Sequence, residues 1–351
     1  MVDPGRARSS RAKILEDYMA PEAIVANASI DAGIEGDVES GAIDPASLEI
    51  TTVRTHTPLA SQLITGVAIV APIFGVLSVA RLLWGVALHP LDLELFAIFY
   101  LLCGLGITVG FHRLFTHKSF VASQPVRIAF AILGSMTLQG PLTQWVTDHR
   151  KHHARSDQPG DPHSPNLGGP TWFGHVRGFY HGHMGWLFSE KGLERGEIYG
   201  RDLFNDPVIR LIDRLYFVWV AVSVGLPFLI AYLITGSTER GVEALVWAGL
   251  VRIFLFQHAT FAVNSVCHTW GRRPFVTGDR STNNVVVAML TFGEGWHNNH
   301  HAFPRSARHG LATTQFDLSY LTIAAMTKLH LATELRLPTA AQLERIARTG
   351  E

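Results

Sequence analysis

Four long apolar stretches constrain what this chain can fold into more than any other feature of its sequence. They cover about 63–84, 93–111, 215–234 and 243–263, and each approaches the roughly 20 residues that a helix needs to cross the hydrocarbon core of a bilayer. A soluble protein with four buried core helices is the alternative, but such stretches at hairpin spacing are rare in soluble folds. The sequence therefore predicts an integral membrane protein.

Short connections group the four stretches into two helical hairpins. Segments 85–92 and 235–242 join the first stretch to the second and the third to the fourth. Of the 29 lysines and arginines, only Arg240 lies in these two turns. The positive-inside rule therefore predicts that both termini and all the long polar segments face the cytosol.

The composition agrees with a membrane protein and excludes several other classes. Hydrophobic residues make up 47% and charged residues 17% of the chain, whereas roughly 25% are charged in typical globular domains. The 29 basic and 29 acidic residues cancel, so no bias toward nucleic acid is visible. The two cysteines, Cys103 and Cys267, form neither a CxxC pair nor a disulfide framework. We expect a polar, flexible N-terminal region at 1–55, a membrane domain at 56–315 whose cytosolic cap comprises 112–214 and 264–315, and a helical C-terminal tail at 316–351.

Histidines recur at helical spacing on the predicted cytosolic side. Two HxxHH segments place residues at i, i+3 and i+4, which share a helical face, so each is expected to point three imidazoles at one spot. Asn264 and His268 are also four apart, whereas His112 and His117, five apart, fit a helix end or a bent turn. The full set is His112, His117, His149, His152, His153, His268, His297, His300 and His301.

These nine imidazoles predict a site for two metal ions, since one ion takes fewer ligands. Imidazole suits iron, zinc, copper and nickel. Zinc hydrolases usually use three protein ligands, and no HExxH motif occurs here. Soluble diiron proteins use two Glu-x-x-His motifs, of which the chain has one, from Glu294 to His297. An all-histidine dinuclear site favours redox iron that binds dioxygen and removes hydrogen from an unactivated C–H bond.

Acidic and amide side chains near the histidines have expected supporting roles. Metal-bound histidines usually donate their second ring N–H to a carboxylate or carbonyl. The candidates for this contact are Asp148, Asp157, Asp161 and Glu294. Asn298 and Asn299 are interpreted as spacers that set the geometry of the last HxxHH segment.

Six segments occur in this order between about residues 104 and 311: "GLGITVGFHRLFTH", "WVTDHRKHH", "DPHSP", "HMGWLF", "NSVCHTWG" and "GEGWHNNHHAFP". Together they resemble the membrane-bound fatty acyl desaturases, and most of all the acyl-CoA Δ9 (stearoyl-CoA desaturase-like) branch. The resemblance implies an all-α fold, with four membrane-spanning helices in two hairpins capped by a cytosolic helical domain that holds a dimetal centre.

The resemblance also implies a reaction. The nine histidines would bind two iron ions, and Asn264 would contact one of them through water. Such enzymes use dioxygen and two electrons to place a cis double bond in a long saturated acyl chain. The expected carrier is acyl-CoA or another acyl carrier. Since the chain shows no cytochrome b5 domain, the electrons are expected from a separate cytochrome b5-like, ferredoxin-like or flavin-containing protein.

One departure and two alternatives remain open at this stage. After "DPH" the family's animal members carry a basic pair near the carrier headgroup, but this chain reads "SPNLGGPTWFGHVRGFYHGHMGW". A membrane alkane or fatty acid hydroxylase is the first alternative, although its motifs space the histidines differently. A membrane metal carrier without enzymatic activity is the second, and it would need histidines along the spans, where only His258 lies.

An acyl chain would need an apolar tunnel that passes the metal ions. Phe96, Phe99, Tyr100 and Gly104 precede His112 on the second apolar stretch, so we expect them at the closed end of the tunnel. Gln139 and Trp145 precede the first HxxHH segment and are candidates for tunnel or headgroup contacts.

Overall fold

A computed structural model describes residues 89–188 and 198–347, together with a few positions between 66 and 77. The predicted N-terminal region 1–55 lies outside the described residues, and so does most of the first apolar stretch. Within the described ranges, three helices are long and apolar enough to cross a membrane: Pro90–Thr116, Tyr216–Thr235 and Thr238–Ser265. They coincide with the second, third and fourth predicted stretches.

The described ranges are mostly helical. The α-helices are α1 (Pro90–Leu105), α2 (Gln124–Ser135), α3 (Leu142–Arg155), α4 (Trp172–His183), α5 (Arg201–Phe204), α6 (Pro207–Arg214), α7 (Tyr216–Thr235), α8 (Thr238–Ala244), α9 (Arg252–Ser265), α10 (Val285–Leu290), α11 (His297–Ala302), α12 (Leu318–Lys328) and α13 (Ala340–Ile346). Two π-helical segments extend them: Gly106–Thr116 continues α1, and Leu245–Val251 joins α8 to α9. Short 3₁₀ turns cover Pro165–Gly168 and Gly185–Phe188, and strands β1 (Val121–Ala122) and β2 (Ala332–Thr333) pair antiparallel.

The second predicted hairpin forms through a very short turn. Helix α7 ends at Gly236, whose φ of 69° lies in the left-handed region that glycine adopts without steric cost. Ser237 then caps α8, because its side chain accepts a hydrogen bond from the Arg240 backbone N–H. The two spans therefore run antiparallel and pack against α1, where Cys103 lies in the same buried cluster as Ala248.

Arg252 lies within a membrane-spanning helix and is completely buried. Its guanidinium group donates to the Ala248 carbonyl at 2.9 Å, to the Ser223 hydroxyl at 2.6 Å and to the Met136 carbonyl at 3.4 Å. A buried cation is costly unless its donors are satisfied. These contacts therefore make Arg252 a structural link between α9, α7 and the end of α2.

The predicted C-terminal tail packs onto the cap over its described part, up to residue 347. Ile323 and Met326 of α12 lie in the large buried core with Phe115. Strand β2 pairs with β1, and Leu343 of α13 packs with Phe275 in a separate buried cluster. This segment therefore forms a wall of the same cap that carries the histidines.

Candidate metal centre

Helices α3 and α11 carry the two HxxHH segments and bring them face to face. His153 Nε2 lies 2.9 Å from His300 Nε2, and His152 Nε2 lies 3.4 Å from His301 Nε2. Helix α3 has 14 residues and α11 has 6, and most of their histidines are buried. The two triplets, which are about 150 residues apart in the sequence, therefore form a single cluster of rings.

A π-helical turn positions His112 and His117, which are five residues apart. The backbone N–H of His117 donates to the His112 carbonyl at 3.2 Å, which is the i to i+5 bond of a π-helix. This turn brings the two rings within 4.9 Å of each other, centroid to centroid. The five-residue spacing of His112 and His117 predicted a helix end or a bent turn. The structure has a π-helical segment there, at the end of the α1 span.

His268 joins the cluster from just beyond the C-terminal end of α9. Its Nε2 lies 3.0 Å from His297 Nε2, and its side chain is almost fully buried. The Thr282 backbone N–H donates to the Cys267 carbonyl at 2.6 Å. That bond ties the chain after α9 back to the segment that leads into α10.

All nine sequence-predicted histidines fall into two separate groups of ring nitrogens. Within each group the nitrogens that could bind a metal ion lie within 4.8 Å of one another. Cluster A comprises His112, His117, His149, His153 and His300, and cluster B comprises His152, His268, His297 and His301. Each HxxHH segment gives its i, i+4 pair to one cluster and its remaining histidine to the other. This differs from the expectation that each triplet points at one spot. In each segment the histidine at i+3 joins the cluster that contains the other segment's i, i+4 pair.

The geometry and protonation of cluster A fit metal binding. Two nitrogens that share an ion at 2.0–2.1 Å lie about 3 Å apart, and His112 Nε2 lies 3.0 Å from His300 Nε2. The buried Nε2 of His117 has no hydrogen-bond partner among the described residues. Burial, reinforced by neighbouring rings, lowers the pKa of His117, His149 and His300 well below the usual value. The rings are therefore neutral, with lone pairs available to a metal ion.

Four carboxylates hold the outward ring nitrogens of these histidines. Nδ1 of His112 contacts Glu294, and Nδ1 of His152 contacts Asp161 at 3.0 Å. Nδ1 of His268 contacts Asp157 at 2.9 Å and that of His301 contacts Asp279 at 2.6 Å, so cluster B, which includes His152, has three of the four contacts. Such partners orient the ring and raise its basicity toward a metal ion. Three of the four were sequence-predicted. Asp148, the fourth predicted carboxylate, lies on the wall of an adjacent cavity, and its role beside the histidines stays a prediction.

These carboxylates are charged despite their burial. Burial alone would raise the pKa of Asp157, Asp161 and Asp279, but hydrogen bonds and charge interactions with the histidines hold each pKa well below its usual range. Glu294 behaves likewise: burial raises its pKa, and Arg113 and His112 together lower it below the usual value. The cap therefore places negative charge beside both clusters, which favours bound cations.

Arg113 was not predicted as part of the site, although it follows His112 directly. It is completely buried and donates to Glu294, to Asp317 Oδ1 at 3.2 Å and to the Ala307 carbonyl at 3.0 Å. One guanidinium group thus fixes the carboxylate that holds His112 and ties the π-helical segment to the beginning of α12. A charged residue inside an otherwise apolar helix end was the sequence signal for this role.

Two further histidines and Asp279 were also missed. The His309 ring lies 4.4 Å from that of His300, centroid to centroid, and both its nitrogens lack hydrogen-bond partners among the described residues. The His163 ring lies 4.3 Å from that of His152 and belongs to the "DPHSP" segment. No sequence pattern around Asp279 predicts its role, because it lies in a loop 22 residues from its partner His301.

Asn298 and Asn299 are more than spacers. The Asn298 side-chain oxygen accepts from the Phe275 backbone N–H at 2.9 Å. The Asn299 side chain donates to the His309 carbonyl at 2.7 Å and to Gln315 at 2.8 Å. These fully buried amides fix α11 from the side opposite its histidines, and the interpretation as simple spacers was wrong.

A mostly apolar cavity of about 320 Å³ reaches cluster A at His149. The predicted tunnel residues Gln139 and Trp145 lie on its wall, and so does Asn264. Trp145 stacks on the His149 ring, and Gln139 donates to the Thr260 hydroxyl at 3.1 Å. The described lining is Ile69, Leu138, Gln139, Gly140, Pro141, Gln144, Trp145, Asp148, His149, His163, Trp186, Leu187, Asp213, Arg214, Tyr216, Phe217, Gln257, Thr260, Phe261 and Asn264.

The other four predicted tunnel residues are not among the described residues that line this cavity. Tyr100 packs edge-on against Phe256 and Phe292 and stacks on Phe96. Phe99 is buried against neighbouring helices, and a side chain at Gly104 would collide with the Phe292 ring. The role of Phe96, Phe99, Tyr100 and Gly104 at a closed tunnel end stays a prediction.

Comparison with known proteins agrees with this geometry. The fatty acid desaturase family model matches residues 93–317, a range that includes all nine histidines. The chain is 41% identical over 277 residues to a hex-5-enoyl-[acyl-carrier protein] acetylenase of Moorena producens (strain JHB), covering 78% of this chain and 86% of the relative. It is 40% identical over 248 residues to icosanoyl-CoA 5-desaturase of Limnanthes douglasii, covering 69% and 64%. It is 39% identical over 244 residues to sn-1 stearoyl-lipid 9-desaturase of Anabaena variabilis, covering 68% and 82%.

All three relatives are named for reactions on acyl chains, but their names give different carriers and different bond positions. The family match covers more than half of this chain. The three membrane-length helices and two histidine clusters found among the described residues agree with a membrane enzyme of lipid metabolism. This chain belongs to the fatty acid desaturase family.

Proposed function

We propose that this protein desaturates long saturated acyl chains at a diiron centre held by the nine histidines of clusters A and B. The observation that carries this proposal is the division of the nine imidazoles into groups of five and four. Carboxylates contact the outward ring nitrogens of His112 in cluster A and of His152, His268 and His301 in cluster B. When bound, two iron ions would supply the dioxygen chemistry that removes hydrogen from two adjacent methylene groups. Ions held by five and by four nitrogens would have room for a small ligand.

The residues of the chain prepare the site for that chemistry. Four carboxylates each contact the Nδ1 atom of one histidine ring, so that Nε2 of that ring faces its cluster. They are Glu294, Asp161, Asp157 and Asp279. Rigid outer contacts keep ligands in place through changes of metal charge. Asn264, on the cavity wall, is proposed to contact one ion through a water molecule.

The apolar cavity is proposed to bind the acyl chain. Burial of each methylene contributes about 0.8 kcal/mol, so a long chain binds tightly without polar contacts. Gln139, Thr260 and Trp145 form a connected hydrogen-bonded set next to His149, which would hold the wall of the cavity in place beside cluster A. The distance from the cavity mouth to His149 then selects the bond, and we propose the Δ9 position.

Acyl-CoA is the proposed carrier. Arg214 is the one arginine among the described residues that line the cavity, and it is exposed, so it is suited to meet a carrier phosphate. The basic pair of the family's animal members is absent here, and the named relatives act on acyl-carrier protein, CoA and lipid substrates. Acyl-carrier protein and lipid substrates are therefore the comparisons that a substrate assay must include.

The orientation proposed is one in which the cap and both termini face the cytosol and a separate protein supplies electrons. Among the described residues, most charged side chains lie in the cap, whereas α8, which follows the turn after α7, carries Arg240 paired with Glu243. His258, which lies inside the Thr238–Ser265 span, contacts His183 at 3.0 Å. It does not continue a path of ligands, which argues against a metal carrier.

Lipid profiling tests the proposed function. The chain is expressed in a host that lacks its own desaturase, with His300→Ala as the inactive control, and new double bonds are located by mass spectrometry. We expect a cis-Δ9 monounsaturated product from the wild type alone. A double bond at another position would overturn the Δ9 assignment, and a hydroxylated product would replace desaturation with hydroxylation.

A further inference from the structure

A second depression, of about 700 Å³, opens on the polar side of the cap between α11 and the C-terminal helix α13. His153 of cluster A and His301 of cluster B lie in its wall. Their rings are 4.5 Å apart, centroid to centroid, and nearly parallel at 25°. This depression therefore reaches both clusters at the point where they meet.

The rim of this depression is positively charged. Arg305, Arg336 and Arg345 line it, and the first and last are exposed. In the part of the chain that the structure describes, none of the three guanidinium groups forms a salt bridge with a carboxylate. Asp279 is the one carboxylate among the described lining residues, and it is already bonded to His301. We call this surface the basic groove.

The basic groove and the apolar cavity approach the clusters from different sides. They share no described lining residue, and the cavity reaches cluster A at His149 rather than at His153. An acyl chain in the cavity thus leaves the groove open. The groove is polar and wide, which suits a protein surface better than a hydrocarbon chain.

The proposed reaction needs an external source of electrons. Two C–H bonds of the acyl chain break and one C=C bond forms, which releases two electrons and two protons. Reduction of dioxygen to two water molecules takes up four of each. The remaining two electrons come from a donor and the remaining two protons from solvent.

We propose that the basic groove docks the acidic face of a small one-electron carrier protein, with His153 and His301 as the point of electron entry. This inference rests on the proposed function, because only a redox site needs a donor. Complementary charge speeds the encounter and makes it sensitive to salt. A donor that docks once for each electron also needs a small interface that releases quickly.

Charge reversal tests the groove. The variants are Arg305→Glu, Arg345→Glu and the double variant, with Arg201→Glu, an exposed arginine outside the groove, as the matched control. Binding of an oxidised plant-type [2Fe–2S] ferredoxin, and separately of a cytochrome b5 haem domain, is measured on the iron-loaded detergent-solubilised protein at low and high salt. We expect one of these carriers to bind the wild type and the control, with an affinity that falls as salt rises. The double variant is expected to bind about tenfold or more weakly.

Steady-state kinetics separate the donor from the acyl carrier. The KM for the electron carrier should rise about tenfold in the double variant, and the KM for the acyl substrate should not change. Equal carrier binding by wild type and double variant, or binding of neither carrier, would overturn the proposal. A rise confined to the KM for the acyl substrate would also overturn it and would assign the groove to the carrier's phosphates.

Failure of the proposed function would look different. Dithionite-reduced wild type given dioxygen and acyl substrate needs no protein donor, so absence of a desaturated product there contradicts the desaturase proposal itself. Binding of the oxidised carriers needs no turnover. The two experiments therefore fail independently.

Discussion

His112 and His300 are 188 residues apart in the sequence, yet their Nε2 atoms lie 3.0 Å apart in cluster A. The first comes from the π-helical end of a membrane span and the second from the short helix α11. Arg113 and Glu294 hold the same two elements together on the outer side of the His112 ring. The cluster therefore depends on a connection between the membrane helices and the cap.

Replacement of His300 tests whether cluster A is essential. His300 contacts both His112 and His153 through one nitrogen, so His300→Ala should abolish product formation and lower the iron content. His175→Ala, at an exposed position of α4, is the matched control and should keep both. Full activity in the His300 variant would contradict the dimetal assignment. Product is measured by lipid profiling and iron by elemental analysis.

Asp279→Asn tests the carboxylate that the sequence did not reveal. The amide removes the negative charge that holds Nδ1 of His301, and loss of such a partner typically lowers metal affinity or activity about 10–100-fold. Titration of the metal-free protein with ferrous iron measures the affinity. Glu239→Gln, at an exposed position of α8, should bind iron as the wild type does. Wild-type affinity in the Asp279 variant would mean that this contact does not support cluster B.

Arg113→Met tests the buried ion-pair network. Removal of the guanidinium group leaves Glu294 and Asp317 buried without their shared partner. Breaking a buried pair typically costs about 3–5 kcal/mol, so the variant should unfold at a clearly lower temperature in detergent. Arg177→Met, an exposed arginine on α4, should unfold like the wild type. A wild-type unfolding temperature for the Arg113 variant would show that the network does not stabilise the cap.

Trp145→Ala tests whether the apolar cavity sets the bond position. Trp145 stacks on the His149 ring at a centroid distance of 5.1 Å, so its removal gives the acyl chain room to shift beside cluster A. We expect a mixture of double-bond positions, located by mass spectrometry, in place of one. Trp172→Ala removes a side chain that is 79% exposed and should leave the product unchanged. A single, unaltered bond position in the Trp145 variant would exclude this wall from control of regioselectivity.

Local spacing was sufficient to find the histidines and three of the spans. The i, i+3, i+4 pattern in α3 and α11, and the lengths of the apolar stretches, follow directly from helix geometry. Three of the carboxylate partners also came from their position beside the histidine motifs. These features depend only on residues that are close together in the sequence, so the sequence alone is enough to predict them.

Contacts between distant segments could not be read in this way. The division of each triplet between two clusters depends on how α3 and α11 face each other, and Asp279 meets His301 only because a loop folds over α11. The role of Arg113 needed the position of Asp317, 204 residues further along the chain. The buried amides of Asn298 and Asn299 likewise bond to residues that no local pattern identifies.

Anomalous X-ray diffraction at the iron edge from crystals of active protein tests the central claim most directly. Two iron peaks are predicted, one among His112, His117, His149, His153 and His300 and the other among His152, His268, His297 and His301. A single peak, or peaks outside these two clusters, would contradict a diiron centre built from the nine histidines.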